Sequence, residues 1–427
     1  MIRINVAGAR RWALATLLAT ALAAAPFAKA SAHASLLSSA PANGSHLPSS
    51  PGELRLLFSE PLVSSLSHVM LGLINGRQMP IAISGDPHEV RAIIAQMPRL
   101  ADGAYQATWH VISADGHPVS GTIVFTVGSV DSIPPIATVA HSDGQMVMSD
   151  KEPMLAGAAL VPAILRGLAL SALLSLCGML GFLAYGSASS KVQVRICGWL
   201  SAIATGLLLV HLTVWLIHVS PQNKLDASIL QAALSREVGL NELMRLLFTA
   251  LSAWAILLAR QLRLAFALAL AAVIAGGAIG HSAAIDPFIA IPMKSLHLVG
   301  VAFWLGGLLL LATADVTEAN IERSAATVSS VALISIIVVG ITGIVQAFLF
   351  LPAWRDLFGS AYGVTLIGKA GGLAALAAFG AYHRFKVLPG INATLTLRKS
   401  VRREIALMIA VVMLGGFLAY VPTPHIQ

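Results

Sequence analysis

The chain has 427 residues, of which 57% are hydrophobic and only 11% charged, with a formal net charge of +8. Soluble domains carry about 45–50% apolar and about 25% charged residues, so a soluble globular protein is excluded and a polytopic membrane protein is indicated. The positive balance does not point to nucleic acid, because basic residues in short loops are what orients membrane helices.

The first segment reads as an export signal. Arg3, Arg10 and Arg11 make a positive start, residues 13–25 an apolar stretch, and Ala30 and Ala32 the small residues of an A-x-A cleavage site. Removal of residues 1–32 leaves His33 first in the mature chain. A terminal histidine offers two metal-binding nitrogens, its α-amine and its ring, whereas an internal one offers only the ring. The alternative is an uncleaved anchor with His33 incidental.

Residues 33–128 predict an all-β domain. Tyr105, Ala107, Trp109 and Val111 fall on one face of 104–112, and Ile123, Phe125 and Val127 on one face of 121–127. Residues 53–58 alternate in the same way, and alternation of this kind suits half-buried strands. Turn signals at 40–52, 75–77, 84–87, 101–103 and 114–118 separate the runs. Short strands at this spacing indicate a small β-sandwich or a Greek-key barrel, and the sandwich, with Greek-key connections of the cupredoxin or immunoglobulin kind, is the fold expected. Cys177 and Cys197 lie in or beside later apolar runs, so this exported domain has no disulfide although its compartment would permit one.

Within "SADGHPVSG" (113–121), Asp115 and His117 are two apart, which puts both on one face of an extended segment. Alone, D-x-H is also what a capped, solvated turn looks like. With His33 the set becomes an α-amine, two imidazoles and a carboxylate, a tetragonal N,O set that suits Cu(II). "HASLLSSAPANGSHL", "LFSEPL" (57–62) and "SADGHPVSG…FTV" resemble, in that order, the CopC family of periplasmic copper-binding proteins across residues 33–128. The resemblance implies a Cu(II) site of His33, Asp115 and His117, with Glu60 orienting the terminal amine, as carboxylates behind metal ligands do. Some members carry a methionine-rich Cu(I) site. Here Met70, Met79 and Met97 are scattered and read as packing or surface residues. His46, His68, His88 and His110 have no ligand partner at a convincing spacing and read as solvated surface histidines.

Residues 129–155 lack a sustained period and contain three prolines, the mark of a linker. From 156 to 427 an all-α membrane domain is expected, with eight apolar runs near 160–184, 196–218, 240–259, 264–284, 291–312, 326–351, 364–384 and 404–421. Each approaches the ~20 residues needed to cross hydrocarbon. Eight spans return the chain to its starting side. Arg384, Lys386, Arg398, Lys399, Arg402 and Arg403 then fall in a cytoplasmic loop, as the positive-inside rule requires. The expected location is the bacterial inner membrane, with the β domain and the C-terminus in the periplasm.

Polar groups inside spans are costly and mark function. His211 and His218, with Trp215 between them, share one face of span two. His281 closes span four, and Met293 and His297 open span five, all towards the outer side. His211, His218, His281, Met293 and His297 are read as the entry of a Cu(I) path, since imidazole and thioether suit Cu(I) and weak ligands release it. For His218 or His281 singly, an interfacial anchor is the other reading. Cys177 and Cys197 stand towards the cytoplasmic ends, either as receivers or as small buried hydrophobes without a metal role. "GHSAA…SLHLVGVAFWLGGL" (280–308), "GKAGGLAALAAFGAYHRF" (368–385) and "LRKSVRREIAL" (397–407) resemble the CopD family of inner-membrane copper-resistance proteins. That resemblance implies copper movement across the inner membrane towards the cytoplasm, with His281, His297 and Trp304 on recurrent motif positions.

The expectation is therefore a non-enzymatic copper-binding and copper-uptake protein of copper homeostasis or resistance. Its partners would be copper ions, the lipid bilayer, and other periplasmic copper carriers or a copper reductase. The alternative is a copper- or haem-dependent membrane oxidoreductase or electron carrier. Asp115 would fill the position that a catalytic metal site keeps open, and a haem held by transmembrane histidines would show a Soret band.

Overall fold

The computed structural model describes residues 36–59, 62–113, 118–129, 157–186, 190–220, 227–234, 237–279, 287–314, 318–351, 353–382 and 393–421. The chain divides into two compact units, one carrying the β-strands and the other most of the helices.

Nine strands are described: β1 Leu36–Ala40, β2 Ser45–Leu47, β3 Glu53–Phe58, β4 His68–Leu73, β5 Met79–Ile81, β6 Ile83–Gly85, β7 Ala92–Gln96, β8 Gly103–Ile112 and β9 Pro118–Val127. They form a four-stranded sheet in the order β1-β3-β7-β6 and a five-stranded sheet in the order β2-β9-β8-β4-β5. All pairings are antiparallel except β2 with β9. Period-two patterning decides which faces meet. Leu54, Leu56, Phe58, Ile93 and Ala95 from the first sheet share one core with Val69, Ala107, Trp109, Val111, Ile123 and Phe125 from the second. The sheets therefore pack face to face as a sandwich. Trp109 is its centrepiece, edge-on to Phe58 with ring centroids 5.0 Å apart. Gly121 lies opposite on β9, and a Cβ there would come within 2.3 Å of the Trp109 ring. The glycine is what lets an indole lie flat across the neighbouring strand.

Each of the eight apolar runs contains a helix: α1 Gly157–Tyr185, α2 Lys191–Val219, α3 Glu237–Leu257, α4 Leu262–Ala275, α5 Pro287–Ala312, α6 Glu318–Phe350, α7 Ala361–Tyr382 and α8 Ala393–Leu418. Two shorter helices, Ala227–Leu234 and Asp356–Gly359, lie between them, and a 3₁₀ turn, Gly276–Ala278, extends α4. The expected count of eight spans is not reached by length and composition. Among the described residues six helices, α1, α2, α3, α5, α6 and α7, are long and apolar enough to cross a membrane. The physical reasons are plain for the other two. Helix α4 has 14 residues, about 21 Å at 1.5 Å per residue. Helix α8 carries Arg402, Arg403 and Glu404 within its length.

Helix α1 is the hub, with 83% of its apolar window buried, against 22% for α6 and 11% for α7. The outer surface of α6 is apolar: Ile334, Ile337, Ile341, Ile344 and Phe348 are all exposed at alternating spacings of three and four. An apolar stripe of that length on an outer face suits contact with lipid. Where α1 crosses α5 the backbones nearly touch, since a Cβ on Gly178 would fall 1.7 Å from the Ala302 carbonyl oxygen. Small residues at such crossings are how membrane helices gain packing energy.

Candidate metal centre

His33, Glu60, Asp115 and His117 lie outside the described residues; the nearest described residues, Leu36, Ser59, Leu62, Ser113 and Pro118, belong to segments that meet at one end of the sandwich. Leu36 pairs with Phe58, which places the strand that follows His33 beside the strand that precedes Glu60. Leu62 and Ser113 form an isolated bridge, and the Val63 amide donates to the Ile112 carbonyl at 2.8 Å. Ile112 is in turn paired with Pro118 across the β8–β9 hairpin. The 90–91 segment ties the two halves together, because the Phe58 amide donates to the Arg91 carbonyl and the Leu62 amide to the Val90 carbonyl. Leu36, Phe58, Leu62, Ser113 and Pro118 are thus brought to the same end. Long-range strand pairing does this, since the segments are far apart in sequence.

The other histidines of the domain depart in part from expectation. His46 Nδ1 hydrogen-bonds to Thr126 Oγ1 at 3.0 Å. His68 and His110 are not freely exposed surface side chains. They are directly paired across β4 and β8, half-buried, and stacked with centroids 4.9 Å apart. Burial lowers the proton affinity of both, and the neighbouring His68 adds to the effect on His110, which falls to about 4. Both Nδ1 atoms are buried without a hydrogen-bond partner. Of the methionines, Met79 is exposed, and Met70 and Met97 are partly buried.

In the helical unit His281 and the His218 side chain lie outside the described residues. His211 is buried, and its Nε2 hydrogen-bonds to the Tyr420 hydroxyl just past α8, at 3.0 Å. On the other side its Nδ1 is 3.9 Å from Glu242 Oε2 on α3. His297 Nδ1 hydrogen-bonds to Thr342 Oγ1 at 3.0 Å, joining α5 to α6. Met293 is partly buried one turn before it. Trp304 Nε1–H donates to Glu404 Oε1 at 3.1 Å, joining α5 to α8. Cys177 and Cys197 are free thiols wholly buried in the apolar core, as small hydrophobes would be. Among the described residues no three or more His, Cys, Asp or Glu side chains are grouped to hold a metal ion. Glu242, Arg245 and Glu404 were missed by a reading that searched the runs for histidine and sulfur. The signal was present, since charge inside an apolar run is itself a functional mark.

Comparison with known proteins gives this geometry a setting. The CopC domain model matches residues 36–128, the whole sandwich. Copper resistance protein C of Pseudomonas syringae pv. tomato is 35% identical over 109 residues, covering 23% of this chain and 84% of that protein. The chain belongs to the CopC family. It also carries a CopD segment, since the model for copper resistance protein D matches residues 324–418, from α6 to the end of α8. The combination has a long relative, the copper transport protein CutJ of Bacillus subtilis (strain 168). It is 26% identical over 441 residues, covering 92% of this chain and 75% of that protein. A solved CopC, from Methylosinus trichosporium OB3b, shares 26% identity, covers 24% of this chain and 100% of its own, and has a TM-score of 0.22. This CopC–CopD chain is accordingly a membrane protein of the copper resistance and transport class, with its CopC domain ahead of its apolar helices.

Proposed function

We propose that this protein captures Cu(II) outside the inner membrane and mediates copper uptake through the helical unit. The capture site is the α-amine and ring of His33, exposed by cleavage after Ala32, together with Asp115 and His117. Glu60 orients the amine. The observation that carries the reading is the convergence of chain segments at one end of the sandwich. Leu36, Phe58, Leu62, Ser113 and Pro118, the paired residues nearest these positions in the chain, meet there although they come from distant parts of the sequence. The donor chemistry fits, because nitrogen and oxygen ligands in this number suit Cu(II) better than softer metals.

Copper then enters the helical unit as Cu(I) through His211, His218, His281, Met293 and His297, after reduction by a periplasmic copper reductase. Tethering the capture domain to the bundle raises the local concentration of cargo at its entrance, to the mM range for short flexible linkers. The test is copper accumulation in cells, normalised to the amount of protein in the membrane, alongside the Cu(II) EPR spectrum of the purified chain. His117→Ala should lower accumulation and change the spectrum. His297→Ala should lower accumulation and leave the spectrum intact, and His88→Ala should change neither. Normal accumulation in His297→Ala would remove the membrane path, and an unchanged spectrum in His117→Ala would remove the capture site.

A further inference from the structure

Ionisable groups from several helices meet in one buried cluster. Arg245 on α3 grips Glu242, three residues earlier, through Nη1 at 3.0 and 3.1 Å. Arg166 on α1 is buried and lies over the Tyr420 ring, 6.0 Å from its centroid. Lys294 on α5 donates to the Ile279 carbonyl, just past the 3₁₀ turn that extends α4. Glu242 is within electrostatic reach of Arg245, His211, Arg166 and Lys294, and Lys294 within reach of Arg166 and Arg245. Three cationic side chains therefore lie within electrostatic reach of one carboxylate. The two arginines stay charged in any protein environment, so an excess of positive charge persists whatever Lys294 does. Buried charge without a counter-charge is strongly unfavourable, more so within a membrane.

One donor in the cluster is open. Arg245 is 2% exposed and its Nε is buried with no hydrogen-bond partner. Gly276, in the 3₁₀ turn, lies beside it, where a Cβ would come within 3.4 Å of that Nε. The glycine leaves room for a ligand atom against the guanidinium edge. We propose that this cluster binds a small anion, chloride or a carboxylate, held between Arg245 Nε, Arg166 and Lys294 at the end of the bundle where α1 begins. A bound anion satisfies the open donor and offsets the excess charge. The cluster adjoins the proposed copper path, since Glu242 lies 3.9 Å from His211 and Lys294 follows Met293, but its readout is separate because it needs no copper.

The experiment uses the purified full chain in detergent, without copper, with a bulky sulfonate buffer anion replaced stepwise by chloride or acetate at constant ionic strength. The unfolding midpoint should rise and saturate, by about 3 °C at ten times the dissociation constant. Arg245→Gln should abolish the rise, while Arg260→Gln, outside the cluster, should keep it. The ³⁵Cl NMR line width with the wild-type chain supplies a measurement that needs no variant to fold. Saturable broadening, displaced by acetate, supports one shared site. Broadening that acetate leaves in place assigns the site to chloride alone. A saturable acetate-induced rise without chloride broadening assigns it to a carboxylate. No saturable effect of either anion, or an undiminished effect in Arg245→Gln, would overturn the proposal.

Discussion

His68 and His110 meet because β4 and β8 are in register, and the consequence is a dependence of stability on pH. Both rings are neutral in the folded domain, and burial holds their proton affinities down, His110 to about 4. In the unfolded chain each titrates near 6.5. The unfolded state therefore binds protons first as pH falls, so the contribution is fully present above about pH 6.5 and fades between about 6.5 and 4. Carboxylates act lower: Glu89, hydrogen-bonded by Arg91, is held at about 2, and its contribution fades below the usual carboxylate range. Unfolding of residues 33–128, followed through Trp109, the single tryptophan of that segment, should show a flat midpoint above pH 6.5 and a fall below it. His110→Phe should remove most of that fall, and an unchanged slope would count against the pair. The buried faces of β3, β8 and β9 were legible in the sequence because alternation is local. The His68–His110 pair was not, because register is set by partners 42 positions apart and no short window carries it.

At the scale of elements, the crossing of α1 and α5 holds the closest approach at any described glycine of the bundle. A Cβ on Gly178 meets backbone at the Ala302 carbonyl, and one on Gly306 would come within 2.2 Å of the Gly178 carbonyl carbon. Backbone cannot swing aside as a flexible side chain can, so Gly178→Ala must push the helices apart. The cost should be at least about 1–3 kcal/mol, read as a loss of monodisperse protein on size exclusion and a lower unfolding midpoint. Gly371→Ala on α7 is the contrast: nothing lies within 4 Å of its added Cβ. It should be neutral or slightly stabilising, since alanine is the better helix former by about 1 kcal/mol. The eight apolar runs were legible as helices because hydropathy over some twenty residues is a strong signal. Which glycines sit at crossings was not, because periodicity does not say which face meets which helix.

For the whole molecule the number of crossing helices sets the topology. If α4 and α8 cross with the other six, the segment between α7 and α8 lies in the cytoplasm and the end of the chain outside. If only the six long apolar helices cross, that same segment lies outside. A reporter inserted after Lys386 separates the two. We expect green fluorescent protein to be bright and alkaline phosphatase inactive there, with the opposite result for fusions after Gln427. Phosphatase activity at both positions would leave α4 and α8 as non-crossing helices. The basic residues around 384–403 were the sequence signal for this arrangement, and Arg402 and Arg403 on α8 remain exposed.

The buried position of α1 has a consequence in time. It is the first helix of the bundle to leave the ribosome, yet the partners that cover it come late. Helix α5 begins about a hundred residues after α1 ends, and α8 about two hundred. At roughly 5–20 residues per second, Gly178 waits about 6–25 s for Ala302 and Gly306, and α1 about 10–40 s for α8. Insertion order and burial order are thus reversed: the central post is set first and enclosed last. Until then its notched surface faces lipid or a passing neighbour, and slow synthesis, rather than weak packing, is what leaves it open to the wrong one.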